Sequence, residues 1–157
     1  MLEPLNDTFG RITVFSGYRS PSVNQLCNEK KLNCASNKSN YAAHIFDYKD
    51  QDDCMGATVS VVIPWFADLY DNGNGRDWQA LAWWIHDNLP HCGLYFFPKL
   101  AAFNITWHEC NKEKTIHSYI KPKGCLTKAG MDNYEGDHSD WYEGFPTLTK
   151  GQRLKLC

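Results

Sequence analysis

The run Ile12-Thr13-Val14-Phe15 is short, apolar and partly β-branched, and Ser16, Gly17 and Pro21 bring it to a stop. Such a run reads as a short buried strand, and glycine and proline force the chain into a turn right after it. Arg19 therefore stands at a strand end on a turn of fixed shape. Its planar fork suits a carboxylate or a polarised carbonyl. A surface ion pair would use the same residue type, and both readings stay open from chemistry alone.

Punctuation along the rest of the chain gives the element order. Leu2 and Leu5 at helical spacing, with Gly10 as a stop, predict the end of a helix over Met1 to Gly10. Residues 20–43 are polar, with a short helix over Val23 to Leu32 and loop elsewhere. Residues 44–55 form a loop carrying Asp47, Asp50, Asp52 and Asp53. Gly56 to Ile63 is a β-branched run closed by Pro64 and predicts a central strand. The sequence D-N-G-N-G at 71–75 is a turn cluster. Asp77 caps a helix from Trp78 to Leu89, with Trp78, Leu81, Ala82, Ile85 and Leu89 on one face and Pro90 as its end. Strands follow over Gly93 to Phe97 and Phe103 to Glu109. Lys114 to Ile120 is expected to pair with the latter through a turn at Cys110 to Glu113. From Lys121 onward the chain reads as an ordered but irregular tail, held by Leu126, Met131, Tyr134, Trp141, Tyr142 and Phe145.

This order predicts an α+β fold, a mainly antiparallel sheet with packed helices. The 157 residues suit one domain, and 43% apolar and 14% aromatic residues suit a packed core. A net charge of −2 gives no general attraction to nucleic acid or to anionic lipid. No apolar run reaches the roughly 18 residues of a membrane span. The start lacks a basic stretch followed by an apolar one, so no signal peptide is expected. Seven cysteines at irregular spacing contain no C-x-x-C pair. They are expected to be mostly reduced, partly buried small apolar groups, with a Cys27–Cys34 bridge as the open alternative.

The wording Ser16-Gly17-Tyr18-Arg19-Ser20-Pro21-Ser22-Val23-Asn24 resembles the opening motif of the M15 peptidases. These are zinc D-Ala-D-Ala carboxypeptidases and phage endolysins with a hedgehog/DD-peptidase fold. The resemblance covers residues 2 to 120 and implies an M15-like domain over 1–120. Residues 121–157 are then a C-terminal extension packed on the same domain. It also implies a longer helix before the first strand, so the short start is expected to be trimmed or completed by a partner.

In that family zinc is held by S-x-H-x-x-G-x-A-x-D and a late W-H strand, with a glutamate base shortly before the last histidine. His108 after Trp107 matches the last ligand, and His44 is the histidine in the region of the first. Ala42 and Asp47 stand where the pattern has serine and glycine. Gly56 to Val61 aligns with G-x-A-x-D-I and puts Ser60 where the aspartate belongs, and a neutral hydroxyl is a poor zinc ligand. Asp47 is the acidic-loop substitute, with Asp50, Asp52 and Asp53 as alternatives. No glutamate lies between Gly93 and His108, which leaves Glu109 as the base. Neighbouring residues of a strand face opposite ways, so Glu109 is expected to point away from the partner of His108. The resemblance further implies Arg19 as the group that polarises the scissile carbonyl or holds the terminal carboxylate. Ser16, Tyr18 and Trp107 would contact substrate.

Two functions follow as expectations. One is a non-catalytic M15-like module with an eroded zinc site. It would be a structural or wall-recognition component of a phage particle, located in the virion or the host cytoplasm. Its partners would be other virion proteins, a second copy of the chain or a peptidoglycan peptide. The other is an active zinc-dependent peptidoglycan peptidase.

Overall fold

The computed structural model describes residues 1–71, 77–110 and 112–148. Most of the turn cluster expected at 71–75 lies outside them. The described chain is α+β and is built on one six-stranded mixed sheet.

Helix α1 (Leu2–Phe9) ends at Gly10, whose φ of 75° lies in the left-handed region that glycine enters without strain. Strand β1 (Thr13–Ser16) follows, then α2 (Pro21–Glu29). The Ser20 hydroxyl accepts from the Val23 N–H, and Pro21 occupies the first helical turn, where its missing donor costs nothing. The short helix α3 (Asn37–Asn40) precedes β2 (Gly56–Val62). Next come α4 (Pro64–Asp71) and α5 (Trp78–Asn88). The chain then adds β3 (Gly93–Phe96), β4 (Phe103–His108), β5 (Thr115–Ser118) and β6 (Gly124–Lys128).

The sheet order is β1-β2-β4-β3-β5-β6. Every neighbouring pair is antiparallel except β3 with β5, which is parallel. The β2–β4 register runs from Gly56 opposite His108 through Ser60 opposite Asn104 to Val61 opposite Phe103. Directly opposed residues share a face. One face thus carries Val61, Phe103, Phe96, Leu94, Ile105 and Ile116, all buried with Leu5, Phe9, Leu81, Trp84 and Ile85 from the helices. The other face carries the cross-strand row Ser16, Ser60, Asn104, Tyr95 and His117.

Several expectations change. The first strand is at the sheet edge, so Val14 and Phe15 stay 51% and 62% exposed rather than buried. Lys114 to Ile120 does not pair with the strand at 103–108, because β3 already occupies that edge of β4, and β5 pairs with β3 instead. The tail after Lys121 contains β6, which caps the β5 edge. Met131 and Trp141 are exposed, while Phe145 reaches the core.

Helix α5 is buried on nearly every side, beyond the single apolar face its spacing predicts. The residues after 132 cover its second side. His138 stacks on Trp83 with centroids 3.9 Å apart, Trp84 Nε1 donates to the Pro146 carbonyl, and Tyr142 donates to Asp87.

Two disulfides replace the expected free thiols, Cys27–Cys34 and Cys54–Cys110. The second is a consequence of register. Gly56 opposes His108, so two residues further out Cys54 meets Cys110, with Cα atoms 6.0 Å apart. Cys92 and Cys125 are free. No helix among the described residues is long and apolar enough to cross a membrane.

Candidate functional site

The turn after β1 is locked to the loop at 42–45. The Arg19 N–H donates to the His44 carbonyl at 2.8 Å, and His44 Nδ1 donates to the Gly17 carbonyl at 3.1 Å. This contact leaves His44 Nε2 with its lone pair. Burial lowers the His44 pKa, the Gly17 contact opposes this, and the Arg19 charge lowers it further. The ring is therefore neutral near pH 7.

Arg19 is half-buried. Its Nη2 donates to Ser16 Oγ and its Nη1 to Cys34 Sγ, both at 3.2 Å. Among the described residues no carboxylate forms an ion pair with it. A guanidinium has five N–H donors, so several remain for a ligand. Ser16 begins the polar row of the open sheet face, where Ser60 Oγ donates to Asn104 Oδ1 at 2.5 Å. Tyr18 is exposed and donates to Asp47 Oδ2 at 2.8 Å, a bond that raises the phenol pKa.

A second cluster sits at the far end of β4. His108 is buried. The Cys110 N–H donates to His108 Nδ1 at 3.2 Å, which makes Nδ1 the lone-pair nitrogen and Nε2 the protonated one. Nε2 then donates to Asp50 Oδ2 at 3.0 Å. Lys112 Nζ reaches the same oxygen at 2.6 Å. The Lys112 ammonium, helped by the Cys54 and Asp52 N–H groups and His108, holds Asp50 far below the usual carboxylate range. The Lys112 pKa rises in return. Among the described residues, Cys54, His108 and Cys110 form the one group of three ligand-type residues whose donor atoms lie within 4.8 Å of one another. In this structure the two sulfurs are bonded to each other.

The sequence-named ligands His44, Asp47 and His108 are not drawn into such a group. His44 faces the β1 turn, Asp47 is taken by Tyr18, and His108 is taken by Asp50 and Cys110. Ser60, in the aspartate's place, is spent on Asn104. A zinc ion needs three converging donors and an open position, and this set does not supply them. Glu109 is exposed just past β4, and its N–H donates to the Met55 carbonyl. Trp107 is 42% exposed and, with His91, Cys92 and His108, lines a cavity of about 290 Å³.

Sequence reasoning missed Cys54, Cys110 and His91 at these sites and left Asp50 as an alternative to Asp47. Asp50 was one of four equivalent loop aspartates, and only the fold selects it. The signal for Cys54 and Cys110 was the β2–β4 register, legible once Gly56 is set opposite His108. His91 is buried with both ring nitrogens unpartnered, and burial lowers its pKa strongly. No family model, curated protein or solved structure matches this chain.

Proposed function

We propose that this chain is a non-hydrolytic, M15-peptidase-like module of hedgehog/DD-peptidase type that binds the carboxylate end of a peptidoglycan peptide, as a component of a phage particle. The observation that carries the reading is Arg19, a half-buried guanidinium oriented by Ser16 and Cys34 with no acidic partner among the described residues. Such a fork takes a carboxylate through paired, charge-assisted hydrogen bonds. The His44 Nε2 lone pair adds an acceptor for the ligand's last amide N–H. Together they read a peptide C-terminus. The phage context and the fold name rest on the resemblance of residues 16–24 to the M15 motif.

Calorimetric titration with a stem peptide ending in D-Ala-D-Ala tests this. The free acid should bind and its C-terminal amide should not. Arg19→Ala should weaken binding at least about tenfold, since a hydrogen bond to a charged group contributes about 1.5–3 kcal/mol. Equal binding of acid and amide, or an unchanged Arg19→Ala, overturns the reading. No D-alanine should be released on prolonged incubation.

A second reading, an active zinc-dependent peptidase, has the His44 tautomer as its one supporting contact and requires the loop to bring two further donors to that ring. A ring whose Nδ1–H is held by a carbonyl presents Nε2 as a metal ligand would. Chelator-sensitive release of D-alanine by the oxidised chain would select it over the binding module.

A further inference from the structure

We propose that Cys54, Cys110 and His108 form a redox-gated zinc site: a disulfide when oxidised, a Cys₂His metal centre when reduced. Three observations carry it. The donor atoms already lie within 4.8 Å of one another. A tetrahedral zinc with bonds of about 2.3 Å to sulfur sets its two sulfurs about 3.8 Å apart, so reduction followed by a small separation of the sulfurs suffices. The sheet also places the carriers, because Cys54 and Cys110 lie two residues beyond the Gly56–His108 pair of β2 and β4 and the Glu109 N–H donates to the Met55 carbonyl between them.

The imidazole is the third observation. Metal-bound histidines donate their other ring N–H to a carboxylate, which fixes tautomer and orientation. His108 has that arrangement without a metal, since Nε2 donates to Asp50 and Nδ1 holds the lone pair. The metal would take the place of the Cys110 N–H at Nδ1. Asp50 is itself anchored by Lys112 and by the N–H groups of Asp52 and Cys54, so the ring's support is built. Two thiolates and an imidazole select zinc over magnesium or calcium, and three protein donors leave the fourth position to water.

The chemistry balances with a dithiol as reductant. Its thiolate attacks the exposed Cys110 sulfur, the S–S bond breaks, and Cys54 leaves as thiolate. The second reductant thiol then resolves the mixed disulfide, so the dithiol becomes a disulfide and two electrons pass to the protein. The two protons lost by the dithiol pass to the Cys54 and Cys110 sulfurs, and zinc displaces them when it binds both as thiolates. Cys54 and His108 are 4% and 8% exposed, so Cys110 is the side by which reductant and metal enter.

Cobalt(II), a spectroscopic probe of zinc sites, tests this on the full chain. The chain reduced with a phosphine should take up one equivalent, with a sulfur-to-cobalt charge-transfer band that zinc bleaches. The oxidised chain should give no band. Cys27→Ser with Cys34→Ser should keep the band, Cys54→Ser with Cys110→Ser should remove it, and Asp50→Asn should weaken metal binding about 10–100-fold. A band from the oxidised chain, from the Cys54/Cys110 double variant, or from neither redox state of the wild type overturns the proposal. Should the double variant fail to fold, alkylation of the reduced wild type gives an independent readout. Zinc must protect Cys54 and Cys110 and leave Cys125 reactive, and equal labelling overturns the site. Peptide binding at Arg19 is read on the oxidised chain, so its failure is separate from this one.

Discussion

Arg19 and Gly56 show how far single residues constrain this chain. The Arg19 guanidinium is aimed by Ser16 and the Cys34 sulfur, with no acid paired to it among the described residues. Gly56 is required for a different reason. A Cβ there would collide with the Ala42 carbonyl oxygen and sit 3.0 Å from His108 Cδ2. Gly56→Ala should therefore push the 42–44 loop off the sheet and loosen His44 and His108 together. We expect a loss of about 1–3 kcal/mol, as for overpacked interiors, measured by urea unfolding. An unchanged midpoint would mean the loop is free to move. Of the residues named from sequence, Arg19 stands on its turn as the strand-glycine-proline punctuation requires. The ligand set was less legible. Whether His44 and His108 converge depends on where the fifteen residues between α3 and β2 lie, and no local pattern encodes that.

At the level of elements, strands with β-branched or aromatic runs were legible and their partners were not. The segment at 114–120 reads as the return arm of a hairpin with β4, yet β3 already holds that edge and β5 docks beside β3 in parallel. Periodicity reports which face is buried and is silent on which neighbour lies alongside. Helix α4 was missed because it starts one residue after β2 at Pro64, which reads as a stop, and β6 because it has only five residues inside a stretch rich in glycine and lysine. The disulfides separate at this scale too. Cys54–Cys110 spans 56 residues and Cys27–Cys34 spans 7. Loop-closure entropy gives about 4 kcal/mol for the first and about 2 kcal/mol for the second. Cys54→Ser with Cys110→Ser should lower the Tm more than Cys27→Ser with Cys34→Ser, in calorimetry without added metal. The reverse order would show that β2 and β4 stay paired in the unfolded ensemble.

Across the whole molecule, burial leaves a titration signature. His44, His86 and His91 all have pKa values lowered chiefly by burial, with Lys114 and His86 facing His91 and Arg19 facing His44. In the unfolded chain each titrates near 6.5. Below about pH 6.5 the unfolded state therefore binds protons that the folded state refuses, so stability is full above that pH and falls as pH drops. Urea midpoints should decline from pH 7.5 to pH 5, and His91→Gln should flatten the decline. A flat profile in the wild type would mean these rings are hydrated. The order of elements made the α+β class legible. The cover that residues after 132 place over α5 was not, because Trp83, His138 and Asp87 are polar or amphipathic groups that spacing does not sort.

The pairing of Cys54 with Cys110 follows from the alignment of two strands, and the converse also holds. Sliding β4 by one position against β2 would turn Ser60 and Asn104 to opposite sides and carry the sulfurs out of bonding reach. Oxidation therefore works as a proofreading mark. A chain that closes this bond has assembled its central ladder correctly, and a chain that leaves both thiols open to alkylation under oxidising conditions has not.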